Sequence, residues 1–599
     1  MSARFFRWLC GLMVLVLISA CGAPLEPARV ATAAPIGDRP SPESVTSVVT
    51  LPPIAATSQS VAPTPAVPAA FATVADYDIG NPVLSELFIS PTGDDANSGT
   101  SPASPLRTLT AAWGKIPTGA LTGTGYRLNL LPGTYPCEPD EATNCVNQLT
   151  DRTGTYAQPI IIRAYNGRGT VTLRGGLDVA HVSYLYLIDL TLAGGGDIPV
   201  NHSYNNLLHL YDGHYVLLRG VTLAGPDCDN DVCNNLQEVF KVNQAQHVYV
   251  EDSVMGGSHH TVLDYFAVQY GHILRSQFHT AAQWGIYLKG GTAYLHIEGN
   301  ELHHSTLGFQ AGQSSNLAMM QAPWLHYEAY DIKFVNNLLH DLSGVPLSVS
   351  GGYNILIAYN TAYRVATRVD PGYMLVQAIH GERGCNATDE LPNPLPTCQS
   401  LTTQGAWGPN IVTDNLPSIP NRNIFVYNNL FYNPAPVQTQ YAHFNILAAI
   451  ARPIGFQNLP ASVPTDENLI IAGNLIWNGP GDHPLGVDNG TGCVDANSTC
   501  NAAQLVISNT INLSEPQLVN PVGGDYRPLA GGNVFSVTTY ALPDFGWDTF
   551  SPSVPIGTLT NTVTTDYAGH ARSAFSPPGA FVDGGAALDQ RVFLAMLGR

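Results

Sequence analysis

Short stretches of alternating apolar and polar residues recur along the middle of the chain. Each consists of a strand, a bend at a small residue or asparagine, and a second strand, as in HIEGNEL at His296–Leu302. Alternation on each side of the bend is the period of a β-strand. The repeated stretches are Tyr186–Leu192, Leu217–Leu223, Tyr249–Met255, His272–Phe278, His296–Leu302, Lys333–Leu339, Leu356–Ala362, Ile424–Leu430 and Ile470–Ile476.

The bends define the length of the repeat. They fall at Leu190, Val221, Ser253, Ser276, Asn300, Asn337, Asn360, Asn428 and Asn474. The shortest steps between them are 23 or 24 residues, and the longer steps fit several units or one unit with a loop insertion. A unit of this length cannot enclose its own core, so successive units must stack. Asparagine tolerates left-handed dihedrals, and stacked asparagine side chains can bond from one unit to the next.

This stacking predicts an all-β fold, a single right-handed parallel β-helix with an N-terminal cap and a C-terminal capping segment. A leucine-rich horseshoe needs a Leu-rich consensus with helices, and a propeller needs about 40 residues per blade, so both fit less well. The predicted divisions are a signal peptide at 1–20, a tether at 21–84, the β-helix at 85–510 and the C-terminal segment at 511–599.

The start of the chain is typical of an export signal. Two arginines precede the apolar run Trp8–Ile18, which is too short to span a bilayer. The run ends in Ile-Ser-Ala-Cys21, which resembles the lipobox of bacterial lipoproteins. The resemblance implies diacylation of Cys21 and a protein anchored by lipid alone to the outer side of the membrane. An ordinary signal peptide is the alternative. The proline-rich residues that follow, up to about residue 75, predict an extended tether.

Charge and cysteine content narrow the partners. The net formal charge is −20, and removal of a signal that contains two arginines and no acid makes it more negative still, which argues against nucleic acid as a partner.

The cysteines beyond the lipobox form four close pairs, which favours four local disulfides in an oxidising compartment. Metal binding is the alternative. The pairs are Cys137 and Cys145, Cys228 and Cys233, Cys385 and Cys398, and Cys493 and Cys500.

The two ends of the body carry a family resemblance. The N-terminal motifs are LFISPTGDDANSGT from Leu87, PLRTL from Pro105 and LPGTY from Leu131, and the C-terminal ones are PQLVN from Pro516, DYRP from Asp525 and DYAGHAR from Asp566. With the repeats, they resemble the pectate-lyase-like right-handed β-helix superfamily over about residues 85–585. The resemblance implies a polysaccharide or oligosaccharide partner, and we expect a monomer. Because that superfamily holds lyases, hydrolases, epimerases and non-enzymes, it does not fix an activity.

Candidate chemistry lies on the strands that precede the bends. Lys241, Asp264, Lys289 and Gln310 follow one another at near-regular steps and form one row on the surface if their registers agree. Lys289 lies one residue off this register, and an offset of one residue would turn its side chain to the other face. A lysine whose pKa falls toward 7–8 can act as the base in β-elimination of a uronate glycan.

Lys289, within YLKGG, resembles the base position of polysaccharide lyase family 6. The resemblance implies an arginine acid one coil later and calcium-binding acids before the lysine. Gln310 stands at the first position, and the residues before Lys289 hold no carboxylate. The sequence therefore identifies no certain cofactor. Calcium is the alternative, although its expected ligands are not found. A surface lysine without a catalytic role is the alternative for Lys289.

Histidines and aromatic residues crowd the same part of the chain, beside the insertions Ala311–Trp324 and Ile379–Pro420. Imidazoles work near neutral pH, and aromatic rings stack on sugars. The candidate catalytic residues are Lys289, Asp264, His260 and Lys241. The candidate substrate-binding residues are Tyr265, Tyr287, Trp284, Gln310, His304, Trp324, Tyr327 and Glu328. We expect a polysaccharide lyase; a hydrolase that pairs Asp264 with Glu328 or Asp331, or a glycan-binding surface module, is the alternative.

Overall fold

A computed structural model of the chain describes residues 74–584, apart from 137–138, 141–143, 195–205, 226–235, 369–373, 386–393, 409–415, 439–441, 452–457, 480–483, 489–499 and 574–575. The predicted signal peptide, Cys21 and most of the predicted tether lie outside the described residues and stay predictions. No helix in the described part has the length and apolar character needed to cross a membrane.

The body is a parallel β-helix, and the predicted all-β class is confirmed. Each coil contributes a strand to each of three faces, which we call A, B and C. One complete coil runs through Glu238–Asn243 on face A, Gln246–Glu251 on face B and Val254–Ser258 on face C. Each of these strands pairs in parallel with the equivalent strand of the next coil. Residues in the left-handed region make the bends, such as Gln244 at φ 54° and Asp252 at φ 49°.

Several long strands bend from one face to another and belong to both. Face A holds Asn144–Thr153, Gly176–Ile188, Asn206–Arg219, Glu238–Asn243, Thr261–Phe266, Gln277–Lys289, Glu301–Gly312, Leu347–Ser350, Val376–Ile379, Phe444–Ile446 and Val487–Asp488. The short strand Gly119–Ala120 pairs with Arg152 and Thr153, where that chain turns toward face B. Face B holds Leu84–Ile89, Gly125–Leu130, Ile160–Ala164, Gly176–Ile188, Asn206–Arg219, Gln246–Glu251, Gln269–Leu274, Thr292–Glu298, Ala329–Val335, Gly352–Ala358, Arg422–Tyr427 and Glu467–Ala472. Face C holds Gly133–Tyr135, Val171–Arg174, Thr191–Ala193, Thr222–Ala224, Val254–Ser258, Gln277–Lys289, Glu301–Gly312, Leu338–His340, Thr361–Tyr363, Leu430–Tyr432, Leu475–Trp477 and Thr510–Ile511.

The remaining elements lie outside the coils. Short strands are Pro139–Asp140, Ser314–Asn316, Gly381–Gly384, Ser418–Ile419, Ile450–Ala451, Ser462–Val463, Leu518–Asn520 and Asp525–Pro528. The α-helices are Leu109–Gly114, Pro394–Thr403 and Ala502–Ser508, and the 3₁₀ helices are Leu317–Met319, Pro521–Gly523 and Asn533–Ser536. Leu109 and Trp113 of the first helix join the main core, whose interior is filled by stacked apolar side chains such as Phe309 and Phe334 at 4.2 Å between ring centroids.

The predicted column of bends between faces B and C exists, with one correction and one addition. Side chains in this column accept hydrogen bonds from the backbone of the preceding coil: Asn337 Oδ1 accepts from Asn300 N at 2.9 Å, and Asn360 Oδ1 accepts from Asn337 N at 2.8 Å. The next member is Asn429, not the predicted Asn428. Asn428 takes the left-handed conformation and bonds outward to Tyr540 O instead. The column continues to Asn509, which the sequence pattern did not predict.

Segments at both ends of the described chain pack on face B. Tyr77, predicted as part of the tether, stacks on Tyr249 at 4.3 Å and donates its backbone N–H to Glu251. The C-terminal segment runs back along the side of the coils, and Phe545 stacks on Phe425 at 5.5 Å. The predicted C-terminal capping segment therefore covers a face of the solenoid rather than only its end.

The cysteines are described in part. A disulfide joins Cys385 to Cys398, as predicted. Cys500 is disulfide-bonded as well. The side chains of Cys137, Cys145, Cys228, Cys233 and Cys493 lie outside the described residues, so the other three pairings stay predictions.

Candidate functional site

A row of polar side chains runs along face A, one from each coil. Strand register aligns Asp178, His209, Lys241, Asp264, Tyr287, Gln310, Ser348, Gln377 and Asn445. Tyr287, rather than Lys289, lies opposite Asp264. Lys289 lies opposite Phe266, two residues beyond Tyr287, so its side chain leaves the same side of the sheet.

Two lysines converge on one buried carboxylate in this row. Lys241 Nζ donates to Asp264 Oδ2, and Lys289 Nζ lies 3.3 Å from the same oxygen. The Asp264 side chain is 1% exposed, whereas those of Lys241 and Lys289 are 16% and 12% exposed. The carboxylate thus lies beneath the two ammonium groups, which border the surface. Asp264 Oδ1 is buried and has no hydrogen-bond partner in the described part of the chain.

Two further titratable groups border the lysines. Burial raises the pKa of Glu238 to about 7 although Lys241 opposes the shift. Burial, with the charge of Lys289, lowers the pKa of His260 to about 3, so its imidazole is neutral at physiological pH. Burial also acts to raise the pKa of Asp264, but the two lysines outweigh it and hold that pKa below its usual value. His260 Nδ1 lies 3.9 Å from Glu238 Oε1.

The charges of this Lys241–Asp264–Lys289 cluster do not cancel. Two ammonium groups face one carboxylate, and Glu238 adds a negative charge only as the pH rises through about 7. Below that pH one positive charge is uncompensated. Glu238 was not among the catalytic or substrate-binding residues predicted from the sequence. The available signal was its position three residues before Lys241 at the start of the same strand.

Buried rings support the cluster from the following coil. Trp284 stacks on Tyr287 at 4.7 Å and donates through Nε1 to Gln310 Oε1 at 2.7 Å. The Tyr287 ring lies 3.8 Å from Lys289 Nζ, and the His260 ring lies 5.0 Å from Trp284. Trp284, Tyr287 and Gln310 are all buried, so in this conformation they form the base beneath the cationic surface and present no open ring face to a sugar.

Four predicted substrate-binding residues lie away from this surface. Tyr265 points into the solenoid, where it is fully buried against Phe240, because it alternates with the outward-facing Asp264. His304 lies where face C turns toward face A, and its Nδ1 is 2.7 Å from His303 Nδ1. Trp324 and Tyr327 are buried beside the C-terminal segment, in one cluster with Val554.

Glu328, which was also predicted to bind substrate, instead lies in a buried ion pair. Arg383 Nη2 donates to its carboxylate at 2.5 Å, and both side chains are 0% exposed. Its other oxygen accepts from Ser315 and from the backbone N–H of Gly290 at 3.3 Å. Glu328 therefore ties the two insertions to the residue after Lys289. It cannot serve as a carboxylate partner for Asp264, and neither can Asp331, which accepts from Thr558 N of the C-terminal segment.

Acidic side chains that could share a cation occur elsewhere. Within the described residues, three carboxylates lie close enough together to hold a metal ion. They belong to Asp76, Glu251 and Asp252, at face B. Arg219 pairs with Glu251 at 2.5 Å, and Arg275 bonds Asp76 and Asp252. Each of those three carboxylates already bonds to one of two guanidinium groups. The Lys241–Asp264–Lys289 cluster does not offer the set of oxygen ligands that calcium prefers.

No protein-family model and no curated protein matches the chain. Among solved structures it is similar to a pectate lyase, Pel9A, with 12% identity and a TM-score of 0.36 over 52% of this chain and 80% of that one. It is also similar to the A-module of an Azotobacter vinelandii mannuronan C-5 epimerase, with 13% identity and a TM-score of 0.39 over 66% and 92% of the chains. A PL6-family polysaccharide lyase from Pseudopedobacter saltans gives 12% identity and 0.30 over 68% and 91%. At these identities and TM-scores, the similarity assigns no function and no residue role to this chain.

Proposed function

We propose that this protein is a carbohydrate-active enzyme that takes a uronate-containing glycan on face A and cleaves it by β-elimination. The observation that carries this proposal is the pair of surface-bordering lysines that share the buried Asp264, because their two ammonium groups can both pair with one substrate carboxylate. In a chain of net charge −20, such a local concentration of cations is what an anionic glycan needs to approach. The proposal places the protein outside the cytoplasm, lipid-anchored through Cys21.

The proposed reaction uses Glu238 as the base. The proton on the carbon next to the uronate carboxylate moves to Glu238. The electron pair it leaves forms a carbon–carbon double bond, and the bond to the leaving oxygen breaks. That oxygen takes a proton from water, and the hydroxide that remains is neutralised by the proton that Glu238 releases to solvent. A pKa of about 7 leaves a useful fraction of Glu238 ionised at neutral pH. Lys241 and Lys289 stabilise the negative charge that builds on the substrate carboxylate.

Lys289 as the base is the alternative assignment within the same reaction. Lys289 Nζ lies 3.3 Å from Asp264 Oδ2 and 3.8 Å from the centre of the Tyr287 ring, as an ion pair and a cation–π contact. These contacts favour an electrostatic role for Lys289, and they leave proton abstraction to Glu238.

Hydrolysis is a second candidate, favoured by one observation. The pKa values of Glu238 and Asp264 are moved in opposite directions, which is the arrangement of an acid and an ionised carboxylate in glycosidases. Against it, Asp264 is almost fully buried beneath two lysines, and a nucleophile or base must reach the sugar. We therefore rank elimination first.

Incubation with a panel of uronate and neutral glycans separates these functions. A rise in ultraviolet absorbance from an unsaturated sugar supports β-elimination. New reducing ends without that absorbance identify a hydrolase and contradict the proposal. Binding without products identifies a glycan-binding module, which contradicts it as well. Glu238→Gln is the matched inactive control, because it preserves size and removes the carboxylate.

A further inference from the structure

A second polar pocket lies on face B near the N-terminal end of the solenoid, away from the Lys241–Asp264–Lys289 cluster. It is a cavity of about 300 Å³ whose apolar lining includes Ile161 and Ile188. These isoleucines belong to neighbouring strands, and Ile188 lies opposite Arg163 in strand register. Its volume is at the lower end of the range for small-molecule sites.

Arginine side chains border this pocket, and one of them is held in place from behind. Arg163 Nε donates to Asn129 Oδ1 at 2.8 Å, which fixes the plane of the guanidinium. Its two terminal nitrogens contact no acceptor among the described residues. Arg127, also in the lining, is instead paired with Glu86 at 2.9 Å.

Asp189 supplies the acceptor of the pocket. Burial raises the pKa of its carboxyl, and Arg168, Arg163 and Arg219 oppose that shift. Arg219 is itself neutralised by Glu251. Arg163 thus brings two terminal nitrogens to the pocket, beside an acceptor, Asp189, that makes no side-chain hydrogen bond in the described part of the chain.

We propose that this pocket binds a carboxylate-bearing sugar residue. The terminal nitrogens of Arg163 suit a bidentate pair with a carboxylate, and Asp189 accepts a hydrogen bond from a sugar hydroxyl. Ile161, Ile188 and the half-exposed ring of Tyr165 suit the C–H face of the ring. A compact, multiply charged anion such as phosphate fits less well, because Asp189 repels it and the isoleucines give it no partner.

This site goes beyond the function proposed for face A, since it shares no residue with that cluster. Binding without cleavage at a second face would hold an anionic glycan on the protein while another stretch of the same polymer lies on face A. Two linked contacts raise the effective local concentration of substrate.

The test measures binding of sodium glucuronate to the whole exported protein carrying Lys289→Ala, which removes a cation of the face A cluster. Calorimetry or saturation-transfer NMR is expected to show glucuronate binding that Arg163→Gln weakens at least tenfold. Arg163→Lys should give an intermediate loss, because it keeps the charge and loses the bidentate geometry. Arg107→Gln, at a side chain that is 61% exposed, is the matched control and should change nothing.

Two outcomes would refute the proposal that this pocket binds a carboxylate-bearing sugar. One is glucuronate binding that Arg163→Gln does not change, and the other is phosphate binding as tight as that of glucuronate with the same dependence on Arg163. The face A proposal is judged separately, by products from the protein with Lys289 intact. If glucuronate binding depends on Arg163 but the protein forms no unsaturated product, the proposed binding pocket is supported and the proposed lyase activity is refuted.

Discussion

Single asparagine side chains hold successive coils in register. Asn337 Oδ1 accepts hydrogen bonds from the backbone N–H and from the side-chain amide of Asn300. Asn337 Nδ2 in turn donates to Asn360 Oδ1 at 3.0 Å. Asn337→Ala leaves the buried backbone N–H of Asn300 without its acceptor and removes a buried side chain, and we expect it to lower the free energy of unfolding by about 3 kcal/mol. Chemical denaturation measures this loss. Asn81→Ala, at an exposed position, is the control and should stay within about 0.5 kcal/mol of the parent; equal losses in the two variants would refute the ladder's role.

Glu238 gives the proposed reaction its pH dependence. Burial raises the pKa of Glu238 to about 7, so the basic, ionised form is lost as the pH falls through that value. We expect kcat/KM to fall about tenfold for each pH unit below 7 and to level off above it. Glu238→Gln should abolish the activity at every pH. A profile that is flat between pH 5 and 7 would remove Glu238 as the base.

Substitutions at Lys289 distinguish its two candidate roles. As a cation beside Asp264, it should be replaceable in part by arginine, so Lys289→Arg keeps measurable activity while Lys289→Ala loses about 100- to 1000-fold in kcat. As a base it could not be replaced by arginine, whose guanidinium stays protonated. Equal inactivity of the two variants, with unchanged thermal stability, would move the base assignment from Glu238 to Lys289.

At the scale of elements, a buried ion pair joins the two insertions. Arg383 bonds Glu328 and the backbone carbonyl groups of Leu325, His326 and Trp407. Arg383→Met strands the Glu328 carboxylate in the interior, and we expect a loss of about 3–5 kcal/mol in the free energy of unfolding. The control pair is Arg422 and Asp548, whose side chains are 38% and 37% exposed and lie 2.8 Å apart. Arg422→Ala should cost at most about 1 kcal/mol, and a similar cost for Arg383→Met would show that the pair is not needed.

Strands and bends were predictable from the sequence because their signal is local. Apolar alternation and a repeated asparagine bend placed the coils, and the error at Asn428 arose where two asparagines are adjacent and only Asn429 faces inward. Register was harder to predict. Tyr287, not Lys289, lies opposite Asp264 because the pairing with the preceding coil keeps a constant step, from Ser258 and Ala281 to Asp264 and Tyr287. Tyr265 is buried because it alternates with Asp264 within one strand, and Trp324 and Tyr327 are buried beside the C-terminal segment. Residue type alone does not predict this burial.

At the scale of the whole described body, the chemical character of the face A row changes along the solenoid. Face A carries the lysine cluster and then a series of neutral polar side chains, Gln310, Ser348, Gln377 and Asn445. Ser348 Oγ donates to Gln377 Oε1 at 3.0 Å. A polymer with one acidic residue at the lysines would meet amide and hydroxyl groups along the following coils. The function proposed for face A therefore favours a heteroglycan over a uniformly charged polyuronate as the substrate.

The C-terminal segment couples coils that are distant in sequence. Lys333 Nζ donates to Thr558 O and Thr560 O at 2.8 and 2.7 Å, Asn354 Nδ2 to Gly546 O at 2.8 Å, and Asn428 Nδ2 to Tyr540 O at 2.8 Å. In a repeat fold each coil otherwise contacts only its neighbours, so such a segment adds cooperativity across several coils.

A chain that ends at Val537 tests this coupling. Loss of the segment uncovers Phe425, Tyr353 and other buried side chains on face B. We expect faster amide hydrogen exchange in Ala329–Val335, Gly352–Ala358 and Arg422–Tyr427, because local opening no longer requires the segment to detach. Exchange in Gln246–Glu251, which the N-terminal Tyr77 covers, should stay unchanged. A chain that ends at Gly584 keeps the segment and is the control. Uniformly faster exchange on face B would mean that the segment stabilises the solenoid as a whole, and unchanged exchange would mean that the coils hold without it.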